Sequence, residues 1–260
     1  MISAGAPVAR TGAGVVRGAA LLGFILGFAA LLMLAAGPIG WRAGWWSYRV
    51  GLGTLMPYAF YAGVAALVIS ALALVLGFRT IARGGLVLAV LGLLIGGTAA
   101  YFPWHWNNLR GLSPRLNDVT TDVDNPPSLA FAAAMRKAEH GNPVAYGGPA
   151  TAAVQKKSYP DIAPAMLALP PDQAFDRALA VAKAKGWAIV KADPAAGIIE
   201  ADDRSRWFGF TDDIAIRVSA AQGGSRVDIR SAARQGRGDF GVNARRVRGF
   251  LAALRDAARK

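Results

Sequence analysis

The chain has 260 residues, of which 54% are hydrophobic and 17% are charged, and it contains no cysteine. A soluble globular domain carries about 25% charged residues, so this composition is unlike that of a soluble protein. The lack of cysteine excludes disulfides and thiol catalysis and leaves the cellular compartment open.

The charges are divided unevenly along the chain. All 16 acidic residues lie at or beyond Asp118, whereas residues 1–104 contain six charges, all of them arginine. Of the 29 basic residues, 23 therefore lie in the later part against 16 acids, a net charge of +7. This division predicts a membrane part followed by a polar part. The basic polar part suits anionic lipid headgroups or an acidic partner, and its tether argues against nucleic acid. A solvated basic face without a ligand is the alternative.

Three long apolar runs cover residues 15–39, 57–78 and 84–102. About 20 apolar residues cross the hydrocarbon core, and the hydrogen-bonding needs of the backbone in lipid make such runs helices. We therefore predict a transmembrane region of three helices over residues 1–104. An alternative for the first run is a cleaved signal peptide ending near residues 34–36, although its apolar stretch is long for that role.

The predicted orientation rests on the two loops between these runs. Arg79 and Arg83 flank the short second loop, whereas the longer first loop is rich in tryptophan. Positive charge favours the cytoplasmic side, but the overall count is nearly balanced between the two sides. The short arginine-flanked loop favours a cytoplasmic amino terminus. With three spans, we predict a multi-pass protein of the inner (cytoplasmic) membrane whose C-terminal domain lies in the periplasm.

Small residues recur at helical spacing in all three runs. They are Gly23 and Gly27 in the first, Ala62, Ala66 and Ser70 in the second, and Gly92 and Gly96 in the third. Small residues allow close helix packing, and we favour packing of these three helices on one another. The alternative is a partner membrane protein, or a homo-oligomer formed through the Gly-rich spans. The runs lack acidic, Lys and His side chains, which argues against an ion or proton pathway.

Residues 105–164 are predicted to form a loop-rich connector. The segment from Asn117 to Asp122, with Asp124 after it, favours turns held by local side-chain hydrogen bonds. A hard cation bound by three carboxylates is the alternative. Two histidines and no cysteine argue against a zinc site. We therefore predict no metal site and no cofactor.

Residues 165–260 are predicted to form an α+β domain with the order helix, four strands, helix. Ile214 and Ile216 alternate with Asp213 and Arg217, which is the two-residue period of a half-buried strand. The simplest fold is a four-stranded antiparallel sheet with two helices packed on one face. The other face carries alternating charges, so it is solvated, covered by the connector or used for binding.

A glycine-rich turn from Gly236 to Gly241 precedes the last helix and matches the dinucleotide-binding pattern G-x-G-x-x-G. That fold needs a second parallel strand after the helix, which the 19 residues beyond Gly241 do not supply, so we reject this interpretation. Such a turn still exposes N–H groups that attract anions, and arginine matches phosphate and carboxylate geometry. The candidate anion site comprises Arg234, Arg237, Asn243, Arg245 and Arg246.

The alternative is that these arginines are satisfied inside the protein. Asp239 and the pair Asp212 and Asp213 can neutralise them, and Asn243 can cap the helix. Catalysis has less support, because Ser231 has no visible base and the adjacent aspartates point to opposite faces of a strand. We assign no catalytic residue, and a membrane-anchored hydrolase of unknown substrate is the alternative function.

The same stretch resembles a known family. The matching residues are Asp212, Asp213, Arg230, Ser231, Arg234, Gly236, Asp239, Gly241, Asn243, Arg245 and Arg246. Together with Asn117 to Asp122 upstream, they resemble the family called domain of unknown function 1499. The resemblance implies a membrane-anchored bacterial protein without an established activity. Some members carry a cysteine near the start of the domain, and this chain has none, so a thiol mechanism does not carry over.

Within this resemblance, six residues are expected to form a structural motif. They are Asp212, Asp213, Arg230, Ser231, Asp239 and Gly241. The sequence as a whole predicts an integral membrane protein whose envelope-facing α+β domain is a binding or assembly module at the membrane surface. Its expected ligand is an anionic lipid or an acidic partner.

Overall fold

The computed structural model describes residues 8–79 and 81–259. The chain divides between Leu109 and Arg110 into two compact units. The first contains the amino-terminal helices and is called the helical unit below. The second contains the sheet and is called the polar unit.

The helical unit holds helices long and apolar enough to cross a membrane. The elements of this unit are α1 (Val8–Arg42), α2 (Tyr48–Val50), α3 (Met56–Leu76) and α4 (Arg83–Leu112), with a π-helical turn at Gly51–Leu55 between α2 and α3. The three candidate spans are Gly12–Arg42, Tyr48–Leu76 and Arg83–Leu112, which confirms the prediction of three apolar helices.

The second span begins before the predicted run at residue 57. Proline lacks an N–H and clashes with the preceding helical turn, so an undistorted α-helix does not continue through Pro57. Instead, the Met56 N–H donates to the Gly51 carbonyl five residues back. This π-helical turn joins α2 to α3 and lets the helix run through Pro57.

Glycines bring the backbones of the three long helices into contact. A Cβ atom at Gly63 of α3 would lie 2.8 Å from both the amide nitrogen of Ala100 and the carbonyl oxygen of Gly96 in α4. One at Gly27 of α1 would lie 3.2 Å from the amide nitrogen of Gly96. These small residues are therefore used in packing within the chain.

The polar unit is built on a six-stranded antiparallel sheet. Its strands are β1 (Asp118–Thr120), β2 (Ala165–Leu167), β3 (Ala188–Asp193), β4 (Ile198–Arg204), β5 (Thr211–Ala221) and β6 (Gly224–Ala233). The order across the sheet is β1–β6–β5–β4–β3, and β2 also pairs with β6. The helices of this unit are α5 (Ala132–Ala138), α6 (Gly148–Ser158), α7 (Pro171–Ala184) and α8 (Val242–Ala257).

The predicted α+β class is confirmed, but the sheet has six strands where four were predicted. β1 and β2 have three residues each, too few for an alternating pattern to be read. Both lie beside β6, with Val119 opposite Ser231 and Met166 opposite Arg226. β6 is long enough for the two short strands to share its outer edge.

The main core lies between the sheet and helices α7 and α8. Ile216 and Ile229 are fully buried there, as the two-residue period predicts. Phe250 of α8 stacks on Trp187 with ring centroids 5.6 Å apart. The helix pair and the sheet thus supply the apolar burial that stabilises the polar unit.

The other face of the sheet is covered by residues of the predicted connector. Leu129 and Ala132 pack there against Ala215 and Ala232 of the sheet. The connector range, residues 105–164, also supplies β1, α5 and α6. The connector therefore covers the part of the charged face around Asp213 and Arg230, whereas Arg217 and Arg226 toward the other end stay partly exposed.

Candidate functional site

The charged face of the sheet is organised around Asp213 of β5, which is 1% exposed. Arg234, directly after β6, donates to one carboxylate oxygen from Nε at 2.9 Å and from Nη2 at 2.7 Å. Arg234 also pairs with Asp202 at 2.9 Å and with Glu139 at 2.8 Å. One arginine of the predicted anion site is therefore buried among three carboxylates of the protein itself.

A second buried arginine, Arg136 of α5, shares the same carboxylate. Its Nε donates to the other oxygen of Asp213 at 2.6 Å. Its remaining nitrogens donate to the main-chain carbonyls of Ala232, Asn142 and Pro143 at 2.8 to 3.3 Å. The guanidinium of Arg136 is thus paired on all sides, which is the condition for burying a charge without a large penalty.

A third buried arginine, Arg230 of β6, ties β1 to the sheet. It forms two parallel hydrogen bonds with Asp118, Nε to Oδ1 at 2.9 Å and Nη2 to Oδ2 at 2.7 Å. It also donates to the carbonyls of Pro127 and Val144. Together with Arg136 and Arg234, it fastens residues 118–144 to the sheet.

The start of α8 already holds a carboxylate. Asp239 accepts the N–H of Gly241 at 2.8 Å and the N–H of Asn243 at 2.6 Å. Burial raises the pKa of Asp239, and these two N–H groups oppose the rise. The carboxylate occupies the position at which a helix start binds an anion.

Asn243 does not cap the helix with its side chain, contrary to the expectation from the sequence. The side chain is fully buried against β6, where its Oδ1 accepts the hydroxyl of Ser231 at 2.6 Å. Its Nδ2 donates to the carbonyl of Asn117 at 3.2 Å. The capping role belongs to Asp239 because that side chain lies beside the free N–H groups.

Arg246 is held by two more aspartates on the helical face of the sheet. It pairs with Asp203 and with Asp212, each at 2.8 Å, and donates to the Ser231 hydroxyl oxygen at 2.9 Å. Burial raises the pKa of Asp212 to about 6, and Arg246 opposes the rise. Asp212 and Asp213 therefore serve opposite faces of β5, as predicted.

The acidic segment before α5 forms a turn. Asp122 accepts the N–H of Asp124 at 3.2 Å and of Asn125 at 2.9 Å, and its carboxylate pairs with Arg217 and Arg226. Within residues 8–79 and 81–259, no group of three or more His, Asp or Glu side chains is arranged to hold a metal ion.

The family model described as "Protein of unknown function (DUF1499)" matches residues 118–254. The chain belongs to this family. The matched region begins with β1 and ends in α8, so it contains the buried ion pairs and the α8 start described above. The candidate membrane spans precede it. Comparison with curated proteins gives no match.

Two arginines of the predicted anion site remain exposed in the DUF1499 region. Arg237 lies in the loop between β6 and α8, and Arg245 lies in the first turn of α8. The Nη1 of Arg245 donates to the Phe240 carbonyl at 2.9 Å. Beside Arg245 is an open cavity of ≈ 610 Å³, also lined by Tyr159 and Arg248. Arg248 is fixed by two hydrogen bonds of 2.6 Å to Asp161.

Exposed basic residues line one end of the DUF1499 sheet, called the basic end below. The strands are antiparallel, so the starts of β1, β5 and β3 meet the ends of β6 and β4 at this end. The acidic residues Asp202 and Asp203 there are ion-paired with Arg234 and Arg246. The exposed basic residues of this end are Arg115, Lys185, Arg204, Arg206, Arg237 and Arg245.

Sequence reasoning did not find several of these residues. Arg136 was missed as a partner of Asp213, although it lies four residues after the buried Ala132 on the same face of α5. An arginine on an apolar helix face is a usable signal of a buried ion pair. Arg204 and Arg206 were missed at the basic end because a sheet end becomes visible only once the strand order is known.

Proposed function

We propose that this DUF1499 protein is an integral membrane protein whose polar unit binds the membrane surface, with anionic phospholipid headgroups as its ligand. The observation that carries the proposal is the basic end. Arg115 and Arg237 are exposed there and make no ion pair among the described residues. The polar unit begins at Arg110, which lies in the last turn of the candidate span Arg83–Leu112, five residues before Arg115. A basic surface so close to a span along the chain can reach lipid phosphates.

The energetics favour this ligand. Each Lys or Arg near an anionic membrane surface contributes about 1 kcal/mol, and the attraction decays within a Debye length of about 8 Å. Guanidinium groups also match the geometry of a phosphate. The buried arginines Arg234 and Arg246 are not needed for binding, because carboxylates of the protein already neutralise them.

The structure gives less support to a partner-binding role of the spans and to a hydrolase. A partner membrane protein or a second copy bound through the glycines of the spans would compete with their packing inside the chain, as at Gly27 and Gly63. A hydrolase would need an activated nucleophile, and the hydroxyl of the buried Ser231 donates to Asn243.

The proposal is tested by counting bound lipid on the full chain in a neutral detergent. Dihexanoyl phosphatidylglycerol is titrated and quantified by native mass spectrometry, with dihexanoyl phosphatidylcholine as the neutral probe. The double variant Arg237→Gln/Arg245→Gln is expected to bind the anionic lipid roughly ten- to thirtyfold more weakly, because it loses two surface charges of about 1 kcal/mol each.

The matched control removes two charges elsewhere. Arg255 and Arg259 are exposed near the far end of α8, about 15 Å or more along the helix from Arg245. Arg255→Gln/Arg259→Gln is expected to leave the affinity within about twofold of the parent. Equal affinities for the parent and for both double variants would show that the basic end is not the lipid site.

We further propose that the chain lies in the inner (cytoplasmic) membrane with its polar unit in the periplasm. The short loop bounded by Arg79 and Arg83 supports a cytoplasmic position for that loop. The chain lacks cysteine, so single-cysteine variants report topology directly. A membrane-impermeant maleimide applied to intact spheroplasts is expected to label Gln222→Cys and not Ala82→Cys, which reports on the short loop and keeps both of its arginines. The reverse labelling pattern would place the polar unit in the cytoplasm.

A further inference from the structure

The loop between β4 and β5 combines exposed basic residues with aromatic ones at the basic end. It runs from Ser205 to Phe210, with the sequence SRWFGF, between Arg204 and Thr211. Trp207 and Phe208 are in edge contact at 5.2 Å between ring centroids, and Phe208 stacks on Phe210 at 5.1 Å. Phe208 is buried, whereas Trp207 and Phe210 are half-buried.

The backbone of this loop is closed by its own hydrogen bonds. The Ser205 N–H donates to the Phe210 carbonyl at 2.8 Å, and the Gly209 N–H donates to the Ser205 carbonyl at 3.0 Å. The Phe210 N–H donates to the Ser205 hydroxyl, and Arg204 Nε donates to the Gly209 carbonyl. The aromatic rings are therefore presented on an ordered support, which reduces the entropy lost on binding.

We infer that this loop is an interfacial membrane contact, with Trp207 and Phe210 at the level of the lipid headgroups and Arg204 on the phosphates. Aromatic side chains, and tryptophan in particular, are favoured at the membrane–water interface, where part of the ring contacts lipid and part contacts water. Arginine beside them supplies charge complementarity to an anionic surface. The inference rests on the proposed function in one respect, because it requires the basic end to face lipid.

The two contributions differ in physical kind. The pairing of Arg237 and Arg245 with headgroups is electrostatic and weakens with salt. Partition of aromatic rings into the interface is driven by burial of apolar surface and persists in neutral lipid and at high salt. The loop is therefore expected to reach the interface even in bilayers of phosphatidylcholine alone.

The test uses spin labels on the full chain reconstituted in nanodiscs. Arg206→Cys places a label on the loop, and Gln222→Cys places one at the opposite end of the sheet, on the β5–β6 turn. Power saturation with oxygen and with a water-soluble nickel chelate gives the depth of each label. The label at 206 is expected to show several-fold less nickel accessibility than the label at 222, in both phosphatidylcholine and mixed phosphatidylcholine–phosphatidylglycerol discs.

Two outcomes separate this inference from the lipid-binding proposal. Equal nickel accessibility at 206 and 222, in protein whose circular dichroism is unchanged, would overturn the loop contact even if Arg237→Gln/Arg245→Gln weakens lipid binding. A protected label at 206 would support the contact even if that double variant binds lipid like the parent. In the background Trp207→Gln the label is expected to become water-accessible, and Trp207→Phe is expected to retain protection.

Discussion

Replacing Asp213 with alanine is expected to lower the free energy of unfolding of the polar unit by about 3–5 kcal/mol, the cost of breaking a buried ion pair from one side. The substitution leaves Arg136 and Arg234 buried without the carboxylate that both contact at 2.6 to 2.9 Å. Arg234 keeps Asp202 and Glu139, and Arg136 keeps main-chain carbonyls. A loss of this size corresponds to roughly 6–20 °C in the unfolding temperature.

The measurement is thermal unfolding of the full chain in detergent, with limited proteolysis to follow release of residues 118–144. Asp161→Ala is the control, since it removes an ion pair with Arg248 whose side chains are 54% and 41% exposed. Such a surface pair contributes about 0–1 kcal/mol. If Asp213→Ala and Asp161→Ala unfold at the same temperature, the buried arginines do not fasten the connector to the sheet.

Much of the polar unit was predictable from local pattern. Ile214 and Ile216 were assigned to the core from their alternation, and both are fully buried. The last helix of the predicted order is present as α8, and its apolar stripe through Phe250 has the 3.6-residue period. These elements are long enough for periodicity to identify them. β1 and β2 are not, and only their pairing with β6 defines them as strands.

The candidate site was predictable in its residue types but not in its pairings. Arginines such as Arg234 and aspartates such as Asp213 lie within one stretch, so internal pairing could be proposed as one alternative. Arg136 and Asp118 come from segments 77 and 112 residues away from their partners. No local pattern carries that information. These distant carboxylates decide which arginines are buried in ion pairs and which stay exposed. The basic end can therefore be identified only from the folded structure.

The second large effect expected is a dependence of stability on pH that opposes ordinary acid denaturation. Burial raises the pKa of Asp212 to about 6, although the positive charge of Arg246 lowers it in part. Burial and the neighbouring Asp213 raise the pKa of Asp202 to about 6, although the positive charge of Arg234 lowers it in part. Burial also raises the pKa of Glu200 and of Asp239, although backbone N–H groups oppose it. Each group binds its proton more tightly in the folded state than in the unfolded state.

This stabilisation is fully present below the unfolded pKa near 4 and is lost as the pH rises through about 6. The full chain in detergent is therefore expected to unfold at a higher temperature at pH 5 than at pH 7.5. For the buried Asp212 alone, we expect the free energy of unfolding to be about 1–3 kcal/mol higher at pH 5 than at pH 7.5. Differential scanning fluorimetry across this range measures the effect.

The double variant Asp202→Asn/Asp212→Asn identifies the groups responsible. Asparagine keeps the shape of each side chain and cannot titrate, so the variant is expected to show a much flatter profile between pH 5 and 7.5. Asp161→Asn, at an exposed position whose pKa is lowered by the side-chain hydrogen bond from Arg248, is expected to keep the parent profile. An unfolding temperature that rises from pH 5 to pH 7.5 in the parent would contradict the raised pKa values. A parent profile retained by the double variant would assign the effect to other groups.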